Sequence, residues 1–292
     1  MRYVISVDLG GTWIRAAMVS ADGVCGAIVR ASTHGHRLPE AIINDLMAVI
    51  EKSRQSAADP QNDIEAVAIG IPTTLDPQGY PAAGDNLPTM AGFDIKKQLE
   101  IALHLPVVLF NDANCFTVGE WWQGVGQGTH NFCGITLGTG IGAGLVINGN
   151  LYNGSHGCAG EIWNSPWLTG RVEKYACGQA VESEYERRSG QRLNGTQIAE
   201  LAEHGDSIAM NVYADFGISL GQILSFIINV IDPEAIAIGG AVAESFRFFC
   251  GTLRKTIAAN TTAGANFRVE QSRLGEKAAL LGAGKLFWGN QQ

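Results

Sequence analysis

Two stretches of this chain share one plan, and that repetition constrains the fold more than any other feature. The run Tyr3 to Leu9 (YVISVDL) stops at Gly10-Gly11, resumes as a strand over Thr12 to Ser20, and turns at Asp22-Gly23. Much later, Phe132 to Leu137 stops at a glycine turn, Gly138 to Gly142, resumes over Ala143 to Ile147, and turns at Asn148-Gly149. Each unit reads strand, glycine turn, strand, and each is followed by helical and further strand-like segments. A chain that repeats a supersecondary unit in this way is expected to form two similar α/β lobes around a cleft. The division expected is a smaller lobe over residues 1–117, joined by the C-terminal stretch 276–292, and a larger lobe over 118–275.

The intervening segments fit that plan. Val24 to Ala31 reads as a third strand. Leu38 to Gln55 carries Ile42, Leu46, Val49 and Ile50 at helical spacing. Ile64 to Ile71 is a continuous apolar strand, as in a sheet covered on both faces. Phe93 to Leu103 reads as a helix, and Val107 to Phe110 as a short strand leading into Asn111-Asp112. Ser207 to Val230 is a long helical stretch, and Ala235 to Ile238 a strand closed by Gly239-Gly240. Glu276 to Trp288 is helical and is expected to pack back on the first lobe.

Composition sets limits on partners. Of 292 residues, 46% are hydrophobic and 16% charged, enough apolar material for real cores. The net charge of −8 and the lack of basic runs argue against nucleic acid. No apolar leader precedes Tyr3, and the apolar stretch around Ile223 to Ile231 is interrupted by Ser225 and Asn229, so a membrane span is not expected and a cytoplasmic protein is. The six cysteines have no CxxC pairing and read as reduced, buried or half-buried thiols.

Three glycine sites and two acids are the candidates for the chemistry. In DLGGT, Gly10 and Gly11 let backbone N–H groups and the Thr12 hydroxyl face a phosphate, with Asp8 at the strand end suited to hold Mg²⁺ through water. Gly138, Thr139 and Gly140 repeat the device in the second lobe, so the pair could grip a nucleotide triphosphate from both sides of a cleft. Gly239-Gly240, after a buried strand, would suit an adenosine lying on backbone. Between them, FNDANC puts Asp112 at a strand end, flanked by Asn111 and Asn114. It could take a proton from a hydroxyl, or Asn111 and Asp112 could merely cap the next helix.

Taken together, DLGGT, GIP at Gly70 to Pro72, NLP at Asn86 to Pro88, NDAN at Asn111 to Asn114, LGTGIGAGLVINGNLYNGSHGCAGE at Leu137 to Glu161 and IDPEAIAIGGAV at Ile231 to Val242 resemble the ROK family of sugar kinases and sugar-responsive repressors. The resemblance spans nearly the whole chain. It implies a two-lobed actin/hexokinase-like (ribonuclease H-like) fold and ATP-dependent phosphorylation of a hexose at its 6-hydroxyl, with Mg²⁺. It further implies that Asp112 is the catalytic base, that Asn86, Asn111, Asp112, Glu161 and Glu173 bind the sugar, and that the protein is a homodimer. Asn164 stands where many members have a sugar-contacting His.

The departures matter as much as the matches. Many members follow AGE with Ile-Gly-His and a CxCGxxGC zinc cluster; here the text is EIWNSPWLTGRVE. Without cysteine or histidine between Glu161 and Glu173, no zinc site is expected, and Trp163, Pro166 and Trp167 should hold the shortened loop by packing. Asn164 in place of His puts glucose itself in doubt as the preferred sugar. A sugar-sensing repressor would need a helix-turn-helix before DLGGT, and seven residues precede Asp8. A non-catalytic sugar-binding protein on the same fold remains the alternative.

Overall fold

Both glycine-turn units are antiparallel hairpins, and each seeds its own five-stranded sheet, in the computed structural model, which describes residues 2–56, 63–76, 78–262, 264 and 267–289. In the first sheet β1 (Arg2–Leu9) pairs antiparallel with β2 (Trp13–Ser20), which pairs with β3 (Val29–Ser32). On its other side β1 runs parallel to β4 (Asp63–Ile71), and β4 to β5 (Val107–Asn111). In the second sheet β6 (Phe132–Leu137) pairs antiparallel with β7 (Ile141–Ile147), and β7 with β8 (Asn150–Leu151). There β6 runs parallel to β11 (Ala235–Gly239), and β11 to β12 (Arg268–Gln271), while the short β9 (Pro166–Trp167) and β10 (Gly170–Arg171) pair with each other. Strand order and direction are therefore the same in both sheets, which is the sequence repeat expressed as topology.

The helices form three layers around the sheets. The helices α1 (Pro39–Gln55) and α2 (Ile95–Leu103) cover one face of the first sheet, where Ile5, Val7 and Leu9 meet Ile42, Leu46 and Leu99. Between the sheets lie α3 (Asp112–Gln123) and the C-terminal α8 (Lys277–Gly289). Beyond the second sheet, α4 (Gly178–Ser189), α5 (Gly195–Glu203), α6 (Ser207–Ile231) and α7 (Phe246–Asn260) enclose the largest core. The period of two along β1 decides where the chemistry goes. Ile5, Val7 and Leu9 point to α1, whereas Val4 belongs to the core that includes α8. Asp8 has the parity of Val4 and so faces the middle layer.

Several elements differ from the sequence reading. The third strand begins at Val29 rather than Val24, because the chain after the Asp22-Gly23 turn makes only an isolated bridge, Cys25 to Val19. Helix α1 starts at Pro39, with Leu38 as its cap, and α2 starts at Ile95, capped by the Asp94 side chain accepting from the Lys97 amide. The second hairpin closes earlier than read, so Ile141 and Gly142 belong to β7. Helix α6 is 25 residues and, by length and composition alone, could cross a membrane. Its Val212, Phe216, Leu220, Leu224 and Ile228 are instead buried in the core shared with α7.

Candidate active site

Two acids meet where the first sheet adjoins the middle layer. Strand β5 ends at Asn111, whose side-chain oxygen accepts the Asn114 N–H at 3.0 Å and so caps α3. Asp112 opens the helix, and its Oδ1 accepts the Ala113 N–H at 2.8 Å. Capping is thus part of what this pair does, but Asp112 also lies where Asp8 and Glu161 raise its affinity for a proton. Burial first, then the Asp8 charge, push the Asp112 carboxyl up to about 7, against the helix-end N–H of Ala113, with Glu161 adding to the rise. Asp8 is also raised, because burial outweighs its pairing with Arg15.

Arg15 contacts the candidate site and was absent from the sequence-based candidates. It is the cross-strand partner of Asp8, its Nη1 lies 3.2 Å from Asp8 Oδ2, and its Nε donates to Glu276 Oε1 at 3.1 Å. Arg30 pairs with the other Glu276 oxygen. A signal existed for the first contact: a Gly10-to-Trp13 hairpin turn puts residues 8 and 15 opposite each other.

The remaining candidates come from three loops. Gly11 lies so close to the Asn86 loop that a Cβ there would stand 2.8 Å from the Asn86 carbonyl oxygen; Asn86 is half-buried beside the first glycine turn. Thr12 is exposed at that turn. The second turn is tied by the Gly138 N–H to the Gly140 carbonyl at 2.9 Å, with Thr139 exposed at its tip and open space where a Gly138 Cβ would be. Glu173 reaches this turn: its Oε1 would be 2.2 Å from a Cβ on Gly140, and it accepts the Ile141 N–H. Burial chiefly, and then the nearby Asp85 charge, raise its carboxyl. The N-terminus of α4 joins the group, since the Gly178 N–H donates to the Gly138 carbonyl at 2.8 Å. Gly239 is buried against the Phe116 ring, whereas Gly240 is exposed, with φ +86° and a Cβ position only 2.4 Å from the Leu137 carbonyl oxygen. The three glycine sites therefore cluster at the ends of β1, β6 and β11, with Asp8, Asp112, Glu161 and Glu173 around them. Among the described residues, no three His, Cys, Asp or Glu converge as ligands of one metal ion.

The ROK family model matches residues 4–289. The chain belongs to the ROK family. It is 28% identical to a glucokinase of Halalkalibacterium halodurans over 98% of its own length and 94% of that protein. It is 30% identical to a β-glucoside kinase of Klebsiella pneumoniae over 82% of each chain. Its structure superposes with a TM-score of 0.86, at 27% identity and over 97% of this chain and 98% of the other, on a ROK family glucokinase from Streptomyces griseus solved with glucose and AMPPNP. The fold is the two-lobed actin/hexokinase-like one.

In this ROK protein the segment from Glu161 to Glu173 is held by aromatic contacts and a small hairpin. The Trp163 indole N–H donates to Glu161 Oε2, in a short 3-10 turn over Ile162–Asn164. Pro166–Trp167 pairs with Gly170–Arg171, and the Val172 N–H donates to the Ser165 carbonyl at 3.0 Å. The Trp167 ring packs edge-on to Phe226 of α6, centroids 5.6 Å apart. Trp163 and Trp167 thus act as expected, but Pro166 is exposed and contributes as a strand residue rather than by packing. Asn164 is exposed at the end of the 3-10 turn. The purified protein is expected to carry no stoichiometric zinc and to keep its melting temperature in a chelator. Metal analysis finding one zinc per chain would overturn that expectation and direct attention to His156, Cys158 and Cys177.

Proposed function

We propose that this chain is an ATP-dependent sugar kinase that transfers the γ-phosphoryl group to a hexose hydroxyl, the 6-hydroxyl by family likeness. The observation that carries the reading is Asp112, a carboxylate at a helix start whose proton affinity is raised to about 7, next to Asp8 and the second-lobe acid Glu161. A general base works best with a pKa near the working pH. Asn86, Asn111, Glu161, Asn164 and Glu173 would hold the sugar, since several donors and acceptors around one polyol are what its recognition requires.

The residues present also fit a nucleotide. The turn at Gly138, Thr139 and Gly140, exposed at Thr139 and with open space where a Gly138 Cβ would stand, would offer a phosphate a cradle, and Gly10, Gly11 and Thr12 would offer a second. Gly239 and Gly240 would flank the adenosine. Asp8 is a hard oxygen donor oriented by Arg15, and it would hold Mg²⁺ through water. Mg²⁺, when bound, would offset the negative charge on the phosphates. Asp112 accepts the hydroxyl proton as the sugar oxygen bonds to the γ-phosphorus and the bond to the bridging oxygen breaks, releasing ADP. Positioning does most of the remaining work. Closure of the two lobes, residues 1–117 with 276–292 against 118–275, would exclude water from the transfer. A homodimer is part of the same reading.

Specificity follows from Asn164 and its neighbours. The preferred sugar is expected to be a hexose whose reducing-end side differs from glucose, such as a substituted or epimeric one, because an amide replaces imidazole and Trp163 and Trp167 change the shape nearby. ADP release against free hexoses, N-acetylhexosamines and β-glucosides tests both levels. Glucose ranking first in kcat/KM by more than about tenfold, roughly 1.4 kcal/mol in transition-state binding, would contradict the Asn164 argument. Sugar binding with no ADP release for any member would favour a non-catalytic protein.

A further inference from the structure

We infer that Trp163 is a positioning residue of the sugar site, holding Glu161 in one orientation so that its free acceptor capacity is aimed at a sugar hydroxyl. The inference deepens the sugar-kinase reading and rests on it. Glu161 ends a run of glycine-rich chain, Gly154 to Gly160, in which Gly154, Gly157 and Gly160 all have positive φ. A backbone of that kind gives a terminal carboxylate little rigidity of its own. A carboxylate that must recognise one hydroxyl needs its rotamer fixed from behind. Here that support is the indole N–H of Trp163, which donates to Oε2 of Glu161 two residues away.

The indole can serve because it is itself fixed. Trp163 is half-buried and packs, with Ile162 and Trp167, on the second-lobe core. The Ile162–Asn164 turn is closed by the Ser165 N–H on the Ile162 carbonyl at 3.0 Å, and the Pro166–Trp167 hairpin behind it is anchored by Trp167 against Phe226. Trp163 therefore transmits the rigidity of α6 and the second core to Glu161. Indole N–H is a donor only, so the contact persists whenever Glu161 is ionised and consumes acceptor capacity on one oxygen. The other oxygen remains for the substrate.

The test is a comparison of Trp163→Phe, which keeps the ring and loses the donor, with Trp163→His, which restores a ring N–H. Loss of a hydrogen bond to a charged group predicts that KM for the best sugar rises roughly ten- to hundredfold in Trp163→Phe, while kcat changes less than about threefold and KM for ATP stays within twofold. Trp163→His should recover part of the loss. In a double-mutant cycle with Glu161→Gln the two effects should fall well short of additive. Deoxy sugars read the same contact: the analogue lacking the hydroxyl that Glu161 accepts is poor with the wild type and loses that disadvantage in Trp163→Phe. Equal sugar KM in wild type and Trp163→Phe, with wild-type kinase activity intact, overturns the inference alone. Additive effects in the cycle, or kcat and both KM values worsening together, overturn it too, since a merely structural role would produce them. Absence of sugar phosphorylation by the wild type would instead overturn the kinase reading beneath it.

Discussion

Asp112→Asn is expected to lower turnover by roughly 10²–10⁴-fold while sugar and ATP still bind. The amide is nearly isosteric and can still accept the Ala113 N–H, so α3 keeps its start; what it cannot do is take a proton from the substrate. The wild-type kcat/KM should rise with pH and level off above about 7, where Asp112 becomes ionised. That limb should vanish in the residual activity of Asp112→Asn. Stability should move the other way. With its folded pKa raised above the ordinary 3.8, Asp112 retains a proton between about pH 4 and 7 that the unfolded chain has lost. The folded state then binds more protons than the unfolded one, so this group's contribution falls as pH rises through that window and stays unfavourable above it. Asp112→Asn removes the buried charge, and its melting temperature is expected to exceed wild type by several degrees at pH 8 and by less at pH 5. Near-normal turnover in Asp112→Asn would remove Asp112 from the mechanism.

The second large effect lies behind the site. Helices α3 and α8 cross so closely that a Cβ on Gly282 would stand 1.7 Å from the Cys115 carbonyl oxygen, and one on Gly119 would stand 1.9 Å from that of Ala278. Both obstacles are backbone, which cannot rotate away as a side chain can. Gly282→Ala must therefore push the helices apart. Overpacking usually costs about 1–3 kcal/mol where neighbours can yield; here about 3 kcal/mol or more is expected, a fall in melting temperature of roughly 5 °C or more for a chain of this size. Cys115 is one turn from Asp112, so turnover should drop as well. A melting temperature within 2 °C of wild type would show that the crossing tolerates a methyl group and is looser than described.

What the sequence made legible was what repeats or ends abruptly. DLGGT and LGTGIGAG announced themselves as interrupted strands, and Asp112 as a charge at the end of an apolar run. Residues 8 and 15 could have been paired from the tight first hairpin, yet the link onward to Glu276 joins positions far apart in sequence and leaves no local trace. The same is true of Glu120, fully buried in α3 and satisfied by the Val125 and Leu274 N–H groups and the Ser272 hydroxyl. A carboxylate inside a helix reads as solvated until the segment that satisfies it is folded over it. Helix α7 carries a readable pattern, with Phe246, Phe249, Leu253 and Ile257 on one buried face. Strand β12 offered almost none, being four residues with one buried side chain, Val269. The sequence points to a loop after Glu161 held by Trp163, Pro166 and Trp167, of which the two tryptophans pack and Pro166 does not, and the specific contact of Trp163 with Glu161 is a matter of side-chain direction that spacing does not reveal.

The most direct test of the central claim is to incubate the wild-type protein with Mg·ATP and the sugar panel and to identify the product by NMR. The account predicts ADP and a sugar monophosphate in equal amounts, with the phosphate on the 6-oxygen of the best substrate and no appreciable ATP loss without sugar. ATP hydrolysis that leaves every sugar unmodified, or no turnover with any sugar in the panel, would contradict it.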